Sequence, residues 1–164
     1  MKISYNWLKE FIQTDKTPQE LSTILTGTGL EVESLEKMQA VPGGLEGLVI
    51  GYVKEIAQHP NADRLRITKL DVGGAEDLQV VCGAANVAAG QKVVVATVGT
   101  TVYPTQGEPF QINKSKIRGE VSEGMICAED EIGLGTGHDG IMVLDANATV
   151  GTPAKEYFIF STEV

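Results

Sequence analysis

Hydrophobic and polar positions follow two different periods along this chain. In SYNWLKEFI, Trp7 and Phe11 lie four residues apart, and so do Leu8 and Ile12, the spacing of one helix face. TPQELSTIL begins as helices begin. Thr17 can cap, Pro18 suits the first helical position, and Glu20 can reach back to close a capping box. Leu21, Ile24 and Leu25 then share a face, and Gly27 and Gly29 end the helix. Leu30-Glu31-Val32-Glu33 alternates as a half-buried strand does. Residues 1–40 therefore predict a helix–helix–strand unit, too short for an independent core.

Ala40-Val41-Pro42-Gly43-Gly44 breaks that periodicity. Beyond it the pattern is β. LVIGYVKEI, RLRITKLDV, LQVVCG, KVVVATVG and GIMVLD are short β-branched runs separated by Gly, Asn, Asp and Pro turns. No long helical pattern stands between them. Residues 41–151, with strands from about 45 onward, thus predict a small barrel or sandwich rather than a parallel sheet. Gly51 inside LVIGYV predicts a bulge or a tight bend. After Leu65 and Ile67 the apolar phase slips at Lys69 to Leu70 and Val72, which predicts a bulge in that strand. The apolar tail at 152–164, containing EYFIF, is expected to return to the N-terminal unit and make that domain discontinuous. It carries no closing signal, so the chain reads as a fragment of a longer one.

Composition narrows the function classes. Of 164 residues, 42% are hydrophobic and 21% charged, ordinary for a packed globular chain. The formal net charge is −9, which argues against a dedicated high-affinity nucleic-acid binder but leaves room for a local basic patch. Cys82 and Cys127 are far apart and form no zinc framework, and a reduced, cytoplasmic setting is the simplest reading. The N-terminus has no apolar signal-peptide core, and no run of about 18 apolar residues suggests a membrane span.

Few clusters suggest chemistry. His59 and Asp63, in HPNADRL, read either as an acid–base pair or as a hydrogen-bonded corner at a strand mouth. One His with one Asp favours the corner. Lys114, Lys116 and Arg118 recur at every second position. On a strand all three would face one way, toward an RNA backbone or toward solvent. Spacing alone leaves both readings open. Only Phe110 and Tyr103 are near enough to stack on bases, so backbone and shape contacts would have to dominate. Cys127 lies among Glu123, Glu129, Asp130 and Glu131, a setting that disfavours a thiolate, and packing is expected for it and for Cys82. GLGTGHDG lacks the features of a phosphate loop or a dinucleotide turn, and His138-Asp139 is too small a ligand set for a metal.

Taken in order, MKISYNWLKEFI, GLEVE, HPNADRL, VVCGAANV and KIRGEVSEGMICAEDEIGL closely resemble the N-terminal part of the bacterial phenylalanyl-tRNA synthetase beta subunit. HPNADRL, VVCGAANV and KIRGEVSEGM together resemble the tRNA-binding type of OB domain. The resemblance implies a mainly β fold, an OB-type β-barrel inserted in a small, incomplete α+β domain. It implies tRNA and the synthetase alpha subunit as partners, in a heterotetramer of two alpha and two beta chains, with no membrane or DNA partner. It places the charging reaction, with ATP and magnesium, on the alpha subunit, so this fragment is expected to hold no catalytic residue, metal or cofactor. The family's tRNA-facing surface maps onto Arg64, Asn86, Lys116, Arg118, Ser122 and Met125, beside the stripe that also contains Lys114. The alternative is a free-standing OB-fold tRNA binder or chaperone-like homodimer, which the N-terminal unit and the tail argue against.

Overall fold

The computed structural model describes residues 3–36 and 41–158, which belong to two separate compact units. In the first, α1 spans Tyr5–Phe11 and is capped by the Ser4 side chain. α2 spans Pro18–Gly27. Its capping box closes as the sequence predicts: the Glu20 amide donates to Thr17 Oγ1 at 3.2 Å, and the Thr17 amide donates to Glu20 Oε2 at 2.8 Å. The helix ends in a Schellman motif, with the Leu30 amide on the Leu25 carbonyl, the Gly29 amide on that of Thr26, and Gly29 at φ +94°.

Leu30–Glu33 does not form the expected strand. A strand needs a ladder partner, and among the described residues none pairs with this segment. Leu30 is 66% exposed. The Val32 amide instead donates to Thr26 Oγ1 at 3.1 Å.

The second unit is mainly β. Its strands are β1 (Leu48–Gln58), β2 (Arg66–Asp71), β3 (Leu78–Cys82), β4 (Lys92–Thr97), β5 (Thr101–Val102), β6 (Phe110–Gln111), β7 (Ser115–Ile117), β8 (Glu120–Ser122), β9 (Gly124–Ile126) and β10 (Val143–Leu144). The main sheet runs β10-β4-β1-β2-β3, all antiparallel, with β9 on the same edge of β4 as β10 but at its other end. The free edge of β3 is covered by residues 121–124. The Glu123 amide donates to Gln79 O at 2.8 Å, Gln79 Nε2 to Val121 O at 2.9 Å, and the Val81 amide to Ser122 Oγ at 3.1 Å. The sheet thereby curls into a nearly closed barrel of OB type, which removes its exposed edge.

β4 explains why KVVVATVG is an unbroken apolar run. Val93 and Val95 pack in one cluster with Val53, Leu70, Val80 and Ile126. Val94 and Ala96 pack in a second cluster on the opposite face, with Leu45, Leu48, Val102, Cys127 and Ile132. A strand buried on both faces loses its alternation. Each such buried aliphatic side chain contributes about 1.5–3 kcal/mol relative to exposure.

The bulge expected in β2 lies in the facing strand instead, and none falls at Gly51, which pairs in register with Val93. The extra residue is Lys54, in β1, where the register steps from Val53↔Leu70 to Glu55↔Lys69. β2 itself pairs regularly with β3. Its apparent slip arises because Thr68, not Ile67, is the fully buried residue. Thr68 is polar, but its hydroxyl donates to the Val80 carbonyl at 2.8 Å, so burial leaves nothing unsatisfied. Gly51 permits close packing: a Cβ there would stand 2.7 Å from Val95 Cγ2.

The tail's described part, 152–158, packs on the barrel. The Ile50 amide donates to Thr152 O at 3.0 Å, Val49 bridges Pro153, and Ala154, opening α3 (Ala154–Tyr157), is fully buried. Residues 159–164 lie outside the described residues, so the expected return to the N-terminal unit does too.

Candidate nucleic-acid interface

HPNADRL turns the chain from β1 into β2, and the turn chemistry of Pro60, Asn61 and Asp63 builds that corner. His59 is 2% exposed. Its Nδ1 accepts from the Asn61 amide at 3.0 Å, which leaves Nε2 to donate to the Ile117 carbonyl at 2.9 Å. Asn61 Nδ2 donates to the next carbonyl, that of Arg118, at 3.2 Å. Gln58 Nε2 holds the loop from behind, donating to the carbonyls of Ala62 and Asp63. His59 is therefore a bracket between two loops.

What the bracket holds is a two-residue hairpin. β7 and β8 pair Ile117 with Glu120, leaving Arg118 and Gly119 as the turn. Their φ values are +51° and +95°, the left-handed pair that a type I′ hairpin requires. Gly adopts this readily, whereas Arg118 holds it at a cost.

The basic stripe is thus not one strand face. β7 covers only Ser115–Ile117, so Lys116 lies on the strand, Arg118 at the tip, and Lys114 before it. Lys114 is also committed: its Nζ lies 2.7 Å from Glu123 Oε1, and this pairing holds the Glu123 carboxyl below its usual range. Lys54, Lys69 and Lys155 are likewise paired with acids, and Lys92 donates to Ala148 O. Arg64, Lys116 and Arg118 are exposed, and among the described residues none forms an ion pair. Arg64 and Arg118 meet across a shallow cleft of about 430 Å3, lined also by Asn61, Ala62, Asp63 and Leu65.

The remaining predicted site residues have structural work. Asn86 clamps Ile141 at both ends of its amide, with Nδ2 donating to the carbonyl and Oδ1 accepting from the amide, each at 3.0 Å. Ser122 is 2% exposed, and its hydroxyl accepts from Val81 and donates to the Gly124 carbonyl, so it closes the barrel and has no face for a ligand. Met125 is half-buried against the second core cluster. Asn61 was missed by sequence reasoning. The Arg118-Gly119 pair between two strands was the available sign that Arg118 sits in a turn.

Elsewhere, His138 pairs with Asp130 at 2.8 Å in the glycine-rich loop. Among the described residues no group of three or more His, Cys, Asp or Glu side chains is placed to hold a metal ion. No described helix is long and apolar enough to cross a membrane.

Comparison with known proteins agrees with this geometry. The family described as "Putative tRNA binding domain" matches residues 48–153. A phenylalanine–tRNA ligase beta subunit from Bacteroides fragilis is 59% identical over 158 residues, covering 96% of this chain and 19% of that protein. Those from Salinibacter ruber and Pectobacterium atrosepticum are 50% and 46% identical, with the same coverage. The chain spans about a fifth of the length of these relatives. The barrel thus carries the matched residues, and the chain belongs to the tRNA-binding domain family, similar over nearly its whole length to a segment of phenylalanine–tRNA ligase beta subunits.

Proposed function

We propose that residues 41–158 contact tRNA through the end of the barrel that carries Arg64, Lys116 and Arg118. The observation that supports this most is the selective pairing of charges. The other barrel lysines are spent on acids or a carbonyl, while these three are exposed and form no ion pair among the described residues. Free cations at a surface neutralise phosphates and release counterions. Of the wider set of candidate residues, Lys114, Asn86, Ser122 and Met125 serve this reading by holding the surface in shape.

With a net charge of −9, the chain binds tRNA weakly and with strong salt dependence. Anisotropy titration of labelled tRNA at two salt concentrations tests this. Arg64→Ala plus Arg118→Ala should weaken binding and flatten the salt slope by about two. Unchanged affinity in that variant would sink the reading.

In the whole protein, on the same proposal, this chain is the non-catalytic N-terminal part of a cytoplasmic phenylalanine–tRNA ligase beta subunit. It contributes tRNA contact and architecture to a heterotetramer with the alpha subunit, which uses ATP and magnesium to charge tRNA. The support is the similarity to the beta subunits and the family resemblance of the motifs. The isolated chain should then show no phenylalanine-dependent pyrophosphate exchange, and exchange activity would overturn the assignment.

A further inference from the structure

We infer that the cleft between the corner and the hairpin tip is a site for one ribonucleotide unit, with Arg64 and Arg118 on its phosphate and Asp63 accepting a hydrogen bond from its base or ribose. This rests on the tRNA reading above and deepens it.

The cleft holds both signs of charge, unspent. Asp63 lines it together with Arg64 and Arg118, yet no ion pair forms among the three. The Asp63 backbone is pinned, its carbonyl accepting from Gln58 Nε2 at 3.0 Å and from Arg66 Nη1 at 3.4 Å. Its carboxylate has no partner among the described residues. A surface that only tracked phosphates would be weakened by a carboxylate in its midst. A site that reads a donor beside a phosphate needs one. Carboxylates accept from exocyclic amino groups, and the 2′-hydroxyl of RNA offers another donor.

The cleft is shallow and open to solvent, about 430 Å3, which suits one unit of a longer strand lying on the surface rather than an enclosed small molecule. Leu65 gives an apolar wall, and among the described residues no aromatic ring lines the cleft, so stacking is not the device. The hairpin cannot drift from the corner, because His59 and Asn61 hold successive carbonyls at its tip. The backbones that carry the two arginines are therefore held on opposite sides of one cleft.

The test is the affinity of the full chain for tRNA, and for a single-stranded RNA and its DNA counterpart of the same sequence. Asp63→Ala should weaken RNA binding about three- to tenfold, the net scale of one ordinary hydrogen bond. Asp63→Asn, which retains an acceptor oxygen, should fall between Asp63→Ala and the parent. An Asp63 effect confined to RNA assigns the donor to the 2′-hydroxyl, and an equal effect on DNA assigns it to the base. Tighter or unchanged binding by Asp63→Ala overturns the inference, tighter binding being what removal of a negative charge gives on a purely phosphate-tracking surface. If Arg64→Ala and Arg118→Ala are also without effect, the tRNA reading falls with it; if they weaken binding, only the role of Asp63 is lost.

Discussion

His59 Nε2 lies 2.9 Å from the carbonyl oxygen of Ile117, 58 residues further along the chain. Together with the Asn61 Nδ2 bond to the Arg118 carbonyl, this contact joins the corner after β1 to the hairpin that presents Arg118. His59→Ala would remove one of the hydrogen bonds to the Ile117 carbonyl, leave the Asn61 amide without its His59 acceptor and open a small void. It should cost about 2–4 kcal/mol in urea denaturation. His59→Gln keeps a nitrogen donor for Ile117 and should cost about half as much. Equal losses in the two variants would show that the Ile117 contact contributes little.

Arg118 occupies a left-handed position that asparagine adopts more readily. Arg118→Asn should therefore stabilise the chain by about 0.5–1 kcal/mol while weakening its binding to tRNA. Thermal melting and anisotropy on the same preparation measure both effects. A variant that is less stable would contradict the type I′ assignment at this turn.

Lys114 and Glu123 form an exposed pair, and Lys114 holds the Glu123 carboxyl below its usual range, through its hydrogen bond first and its charge second. The sign follows. A carboxyl whose folded pKa is depressed contributes stability above its unfolded pKa and loses it as pH falls through the folded value. Lys114→Ala should move the Glu123 titration up, as read by carbon NMR, and its stability should converge on the parent's at low pH. Its effect on tRNA affinity should be smaller than that of Lys116→Ala, because the Lys114 charge is already committed.

Both cysteines are buried, and burial pushes each thiol up from its ordinary range, with Glu131 adding to the effect. Since the thiolate is the reacting form, an aromatic disulfide reagent at neutral pH should label neither in the folded chain and both after urea unfolding. Prompt labelling of Cys127 in the folded state would contradict its place in the second core cluster.

What was legible in the sequence is what local chemistry determines. The Thr17–Glu20 capping box and the glycine end of α2 involve neighbours in the chain, so their pattern predicts their geometry. The β runs and the motif HPNADRL with KIRGEVSEGM marked the barrel and its family before any contact was known. The errors all lie where a distant partner decides. Lys69 looked like a bulge, but the extra residue is Lys54 on the facing strand, and a polar Thr68 could face inward because the Val80 carbonyl was there to receive it. Leu30–Glu33 alternated correctly and still made no strand, since alternation does not supply a neighbour.

The site divides in the same way. The sequence by itself determined which residues carry charge, and that Lys114, Lys116 and Arg118 are near one another. Only the tertiary structure decided which of them are free. Glu123 takes Lys114 across the hairpin, Val81 and Gly124 take the Ser122 hydroxyl, and Ile141 takes the Asn86 amide. His59 and Asn61 then bring Arg118 beside Arg64. A side chain has a limited number of hydrogen bonds to make. Whether they go to the fold or to a ligand depends on what packs against it, and that is a property of the folded chain.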